Sequence, residues 1–225
     1  MDLWQDFELD LDADDVLHGQ GMDPAAIRNR RPALVSVAER ALAQGTPKIH
    51  ATTLVREVGV VEQRHERLLL EGGGRLSGPL ITRHLSGAAR VAAVLCTLGE
   101  ELEEAAAQVM GQDPLLGLAL DGLGNAAIER IGQQACGRIG KRAAAEGLQT
   151  STPLSPGVPE WPVEAGQPQI FTLVEAAQAG IRITPGGMMI PKKSISFVTG
   201  IGADMNQTEP CEVCNLKEVC RYRNG

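Results

Sequence analysis

The 225-residue chain is 43% hydrophobic and carries a formal net charge of −7, yet only 3% of it is aromatic. So few rings exclude a stacking platform for single-stranded nucleic acid, and the negative balance argues against a phosphate-backbone partner. No apolar run approaches the ~18 residues that a bilayer-crossing helix needs, so a membrane is not expected as a partner either.

In chain order, the opening MDLWQDFELDLDADD is acidic and unlike a secretory signal. Residues 1–23 are therefore expected to form a separate acidic segment, frayed or docked on a partner through its alternating Leu/Phe and Asp/Glu. Asp23 before Pro24 predicts a helix start, and the stripe Ala33, Leu34, Val37, Ala38, Ala41 and Leu42 carries that helix to Gly45. The β-branched run at 52–61 predicts a strand, and 67–78 a hairpin turning at Gly72 to Gly74. That glycine run lacks the Gly-Lys-Ser/Thr of a phosphate loop. A short helix over 82–89, a buried strand from Arg90 and a helix from about Gly99 follow.

The next helix is predicted from Pro114 to Glu146, with glycines at 117, 122, 124, 132, 137 and 140. Each glycine inside a helix costs roughly 0.5–1 kcal/mol against alanine, so this many predicts close packing on another backbone. Asp121, Asn125, Glu129 and Gln133 recur at i+4 on one face, as either a solvated face or the polar wall of a cleft. The stretch TPLSPGVPEWP (152–162) is a linker or a rigid loop. A helix over 169–180 and strands over 181–202 complete the reading. The pattern is α+β, a single domain with a twisted, mostly antiparallel sheet flanked by helices, plus a Cys-rich C-terminal tail.

Five cysteines without an export signal point to a reducing cytoplasm. Cys96 and Cys136 stand alone in apolar segments and read as small buried hydrophobes. Cys211, Cys214 and Cys220 form C-x2-C-x5-C, the spacing of thiolates that share one metal ion or cluster edge. Structural zinc asks for four ligands, and His18, His50, His65 and His84 all lie far away in sequence. An iron–sulfur cluster is therefore preferred to zinc, with a non-cysteine fourth position or one borrowed from Cys96 or Cys136. Ser194 and Ser196 have no motif partner and Gly-x-Ser-x-Gly is absent; Lys192 and Lys193 read as a solvated pair on a turn, with a phosphate, carboxylate or other small anion as the alternative. No residue is assigned a catalytic role.

SPGVPEWP (155–162) and MMIPKKSISFVTGIG (188–202) resemble the reactivation domain of cobalamin-dependent methionine synthase, and more closely its stand-alone bacterial forms. TRHLSGAARVAAVLCTLGEEL (82–102) resembles the middle of those stand-alone proteins, so the similarity covers roughly residues 50–202. It implies a C-shaped α+β domain over 24–202, with the metal-binding tail at 203–225. The family domain docks on a cobalamin-binding (corrinoid) protein or methyltransferase whose cobalt has been oxidised. There it places S-adenosylmethionine so that one electron, from a reductant protein or a tail cluster, and one methyl group restore the cofactor. The resemblance implies that Pro156, Gly157, Val158, Glu160, Trp161, Met189, Pro191, Lys193 and Ser194 bound the S-adenosylmethionine site.

One departure matters. The family loop reads R-x-x-P-G-Y, its arginine anchoring the ligand's carboxylate and its tyrosine flanking the ligand. Here those positions are Pro153 and Val158. Losing a bidentate arginine removes a contact worth about 1.5–3 kcal/mol, roughly tenfold or more in affinity. A second expectation therefore stands beside the first: a non-catalytic corrinoid- or metal-binding accessory protein that kept the fold and lost the methyl donor.

Overall fold

The structure, a computed structural model, describes residues 1–158, 160–205 and 207. A seven-stranded antiparallel sheet, curled into a half-barrel, runs in the order β4 (Arg75–Ser77), β3 (Arg67–Leu70), β2 (Thr52–Arg64), β5 (Arg90–Thr97), β9 (Ser194–Gly202), β6 (Gln149–Thr150). β1 (Asp2–Trp4) pairs with the first half of β2, and β3 with the second half beyond a register shift between Val60 and Glu62. A separate two-stranded ribbon joins β7 (Arg182–Ile183) to β8 (Met189–Ile190).

β5 is a continuous apolar run because both of its faces are covered. Ala92, Val94 and Cys96 point into one core with Val55, Phe197 and Ile201. Val91, Ala93 and Leu95 alternate into a second core with Leu54, Val58 and Val198. The first core is roofed by α1 (Ala13–Gly19), α3 (Ala33–Gly45), α5 (Glu101–Met110) and the long α6 (Pro114–Ala145). The second is closed by α4 (Pro79–His84), the β3–β4 hairpin and α7 (Val163–Leu173). Among the described residues, no helix is long and apolar enough to cross a membrane.

The glycines of α6 serve close approach on several sides. A Cβ at Gly122 would stand 2.8 Å from the Val16 carbonyl oxygen, and one at Gly19 only 2.2 Å from that of Gly122, so α1 and α6 meet backbone to backbone. Gly132 receives Ile195 Cδ1, which an added Cβ would meet at 2.6 Å. Gly137, by contrast, faces open space.

The acidic start is built into the fold rather than frayed. Asp12 caps α1 in a reciprocal box with Asp15, its carboxylate accepting from the Asp14 and Asp15 amides at 2.8 and 3.0 Å. Trp4, Phe7, Leu9 and Leu11 pack on the first core. The side chains of Arg130, Gln134, Arg138 and Arg142, one helical turn apart along α6, hold the segment by Asp10 O, Glu8 O, Asp6 and Asp2 respectively. Arg138 also lies over the Trp4 and Phe7 rings, 5.6 and 4.9 Å from their centroids.

Three further expectations are corrected. The helix expected over 24–44 is two helices, α2 (Pro24–Arg30) and α3, because Pro32 forces Arg31 out of the helical region to φ −145°. The helix expected over 82–89 lies earlier, at Pro79–His84, with Pro79 in its first turn. The helix expected over 169–180 is α7 at 163–173 followed by a short 3-10 turn at Ala176–Ala179; Pro168 sits inside it. An internal proline removes a helical hydrogen bond, a cost that the burial of Gly166, Gln167 and Ile170 offsets here.

Candidate functional site

The proline-rich stretch is a rigid loop, pinned at both ends. On its N-terminal side Ser151 and Leu154 pair with β9. The Ser151 amide donates to Gly200 O, and Leu154 and Val198 exchange backbone bonds of 2.9 Å each. His84 Nε2 lies 2.7 Å from the Thr152 carbonyl oxygen. On its C-terminal side the Gly157 amide donates to Trp161 O at 2.9 Å, closing a small turn in which Gly157 has φ +107° and Glu160 φ +63°. Trp161 is completely buried. Its indole is flanked by two glycines, since an added Cβ would meet it at 2.7 Å from Gly166 and 3.5 Å from Gly78.

Between this loop, the start of α7 and the β8–β9 segment lies an open cleft of about 280 Å³. Ser155, Pro156, Val163, Gln167, Gly187, Met188, Met189, Lys192, Ser194, Ile195 and Ser196 line it. Gln167 is its most deliberately placed polar group. The residue is only 3% exposed, and its side-chain oxygen accepts from Ser196 Oγ at 2.8 Å. With that oxygen engaged, the Nε2 amide is the group left to face the cleft. Ser194 is satisfied inside the fold, donating to Pro191 O at 2.7 Å and sharing a 2.9 Å contact with Thr97 Oγ1.

The bend between Pro191 and the start of β9 sends the adjacent lysines to different sides. Lys193 turns to α6, its Nζ 2.7 Å from Asp121 Oδ1 and 2.6 Å from Asn125 Oδ1, with only 13% of the side chain exposed. Lys192 turns the other way and lines the cleft; it forms no ion pair among the described residues. Its own amide is fixed by Glu103, at 2.8 Å from the carboxylate. The polar row on α6 is thus divided. Asp121 and Asn125 clamp Lys193, and Asn125 Nδ2 also ties down Gly19 O at 2.9 Å. Glu129 and Gln133 border a polar hollow of about 190 Å³ beside α1.

Of the residues the sequence singled out, Pro156, Met189 and Ser194 line the cleft. Gly157, Val158 and Trp161 shape the loop behind it, Val158 bridging to Trp161 and packing on the second core. Glu160 points outward to Arg83, 3.6 Å away. Pro191 is buried, follows a cis peptide bond and accepts from Ser194. Gln167 and Val163 were not singled out in the sequence; Lys192 and Ser196 were weighed there and set aside, and both line the cleft.

Cys211, Cys214 and Cys220 lie outside the described residues. Among the described residues no three His, Cys, Asp or Glu side chains gather as a metal ion requires. Burial pushes the Cys96 thiol up to about 12 and the Cys136 thiol up to about 11. Both are neutral near pH 7 and serve as apolar packing.

Larger depressions, of about 900 and 640 Å³, lie along the β2–β3–β4 hairpins. Their walls are mostly exposed arginines, glutamate and glycines. The first also has one buried polar atom without a partner among the described residues, Ser77 Oγ, but neither adjoins the 188–202 segment, and volume alone does not make a recognition site.

No family model and no curated protein matches the chain. Its fold is that of the MetH reactivation domain, as seen in the crystal structure of that domain bound to AdoHcy. The likeness has a TM-score of 0.64 and 14% sequence identity, over 93% of this chain and 76% of the other.

Proposed function

We propose that this chain restores an oxidised corrinoid protein to its methylated state, with S-adenosylmethionine held in the cleft between the proline loop, α7 and β9. One coincidence carries the proposal. The fold is shared with a domain that was crystallised with AdoHcy, and the cleft sits where the two segments at 155–162 and 188–202 come together. At about 280 Å³ the cleft is near the lower end of the ~300–1,000 Å³ of small-molecule sites, and it is open. Such a site leaves part of its ligand uncovered, as it must if a methyl group is to be presented to a cofactor on another protein.

The chemistry needs no acid–base residue. An external one-electron reductant protein converts cob(II)alamin to cob(I)alamin. The cobalt lone pair then attacks the methyl carbon of the sulfonium: the Co–C bond forms as the C–S bond breaks, and S-adenosylhomocysteine leaves as a neutral thioether. No proton moves. The chain's contribution is proximity and orientation. Delivery of the electron through an iron–sulfur cluster at Cys211, Cys214 and Cys220 is a further part of the proposal, resting on their spacing alone.

The test is anaerobic incubation of the full chain with a cob(II)alamin-loaded carrier protein, a one-electron reductant and S-adenosylmethionine. Methylcobalamin absorbance and one equivalent of S-adenosylhomocysteine are expected. The visible spectrum and sulfide content of the same preparation test the cluster separately. The alternative, an accessory protein without methyl-donor binding, is favoured by Pro153 and Val158 standing where the resemblance calls for arginine and tyrosine. It prevails if the carrier stays as cob(II)alamin under conditions in which a chemical methyl donor and reductant convert it.

A further inference from the structure

The cleft carries two polar groups whose binding capacity the fold does not use. Gln167 is buried on α7 and has given its carbonyl oxygen to Ser196, which fixes the rotamer and leaves the NH₂ end for a ligand. That NH₂ end makes no hydrogen bond among the described residues, yet it is not one of the fully buried atoms left without a partner, so it reaches the solvent of the cleft, where a ligand acceptor can replace water. Lys192 lines the same cleft and is uncommitted, whereas its neighbour Lys193 is held by Asp121 and Asn125. Among the described residues no carboxylate belongs to the lining; the nearby Glu103 is engaged with the Lys192 backbone amide and forms no ion pair with its side chain. The remaining walls, Pro156, Val163, Met188, Met189 and Ile195, are apolar. A cation and an amide donor at the edge of an apolar slot suit a ligand with an apolar thioether body and one carboxylate.

Resting on the function proposed above, we infer that Lys192 and Gln167 are the specificity pair that takes the α-carboxylate of the ligand's amino-acid arm. They supply, from the bend ahead of β9 and from α7, the anchor that Pro153 cannot supply from the loop. Gln167 provides the directional hydrogen bond. Lys192, on an exposed position, provides a screened charge, so its part weakens as salt is raised. Among the described residues the lysine side chain bears no hydrogen bond, so its replacement leaves the loop, the cis peptide bond and the Ser196–Gln167 contact in place.

The test compares two probes by calorimetry on the full chain. S-adenosylhomocysteine has the amino-acid arm; 5′-methylthioadenosine has the same nucleoside and thioether without the carboxylate. Lys192→Met is expected to weaken S-adenosylhomocysteine about three- to tenfold at low salt, the range from an exposed ion pair to a charged hydrogen bond. It should leave methylthioadenosine unchanged and abolish the salt dependence of the first ligand. Lys192→Arg is expected to restore both the affinity and the salt dependence. Gln167→Met, which keeps the bulk, is expected to weaken S-adenosylhomocysteine roughly tenfold or more and methylthioadenosine much less. If the unaltered chain binds S-adenosylhomocysteine but Lys192→Met affects both probes equally or neither, the inference is wrong and the proposed function stands. If the unaltered chain binds neither probe, the function fails and the inference with it.

Discussion

Replacing Trp161 by alanine is expected to destabilise the protein by about 3–5 kcal/mol, the usual cost of truncating a fully buried large aromatic. That is a large part of the roughly 5–15 kcal/mol that holds a domain together. Trp161 has no exposed surface and is wedged between Gly78, ahead of α4, and Gly166 in α7. It therefore joins three parts of the second core: the proline loop, the β3–β4 hairpin and the helix that carries Gln167. Its loss should loosen the cleft as well as the fold. Trp161→Phe is the informative companion. The indole Nε1 is buried without a hydrogen-bond partner among the described residues, so phenylalanine removes an unsatisfied donor while keeping most of the wedge. Urea denaturation should show a small loss for Phe and a large one for Ala. A loss below about 1 kcal/mol for Ala would mean that the loop is held by its backbone contacts to β9 instead.

The second large effect is expected at the α1–α6 contact. Gly122→Ala places a methyl group 2.4 Å from Gln20 Cγ and 2.8 Å from the Val16 carbonyl oxygen. The glutamine can swing aside, but the carbonyl belongs to the backbone of α1, so the helices must separate. Overpacking of this kind costs about 1–3 kcal/mol. Gly137→Ala in the same helix meets nothing within 4 Å and should stabilise by about 0.5–1 kcal/mol through backbone entropy and helix propensity. Opposite signs from one chemical change in one helix are the expected outcome in thermal denaturation. Destabilisation by both would mean that propensity, rather than close approach, accounts poorly for these glycines.

Much of the fold was legible because its signals are local. The two-sided burial of β5 reads as an unbroken apolar run, and the glycine-spaced stretch after Pro114 reads as a helix under close contact. What escaped depends on partners distant in sequence. The row Arg130, Gln134, Arg138 and Arg142 is an ordinary polar face until the acidic start is laid across it. The same holds in reverse for MDLWQDFELD, which looks like a tail only while its arginines are out of view. Pro168 hid the first half of α7, and with it Gln167, because a proline argues against helix wherever packing is unknown.

The candidate site divides the same way. Motif resemblance located the loop and the β8–β9 segment, and Pro156, Met189 and Ser194 do line the cleft. It could not say which of two adjacent lysines faces the cleft, since that depends on how the bend ahead of β9 sits against α6. Lys193 has the buried partners and Lys192 the cleft. Nor could it show what holds the loop, which Leu154, Gly157 and Trp161 do through the backbone and the second core.

Whether this cleft receives an S-adenosyl ligand, as proposed above, is decided by a crystal structure of the full chain with S-adenosylhomocysteine. The ligand is expected between Pro156 and the β8–β9 segment, its thioether arm against Met188 and Met189 and its carboxylate at Gln167 and Lys192. Ligand in one of the hairpin depressions instead, or none at a concentration that saturates binding in solution, would contradict that proposal.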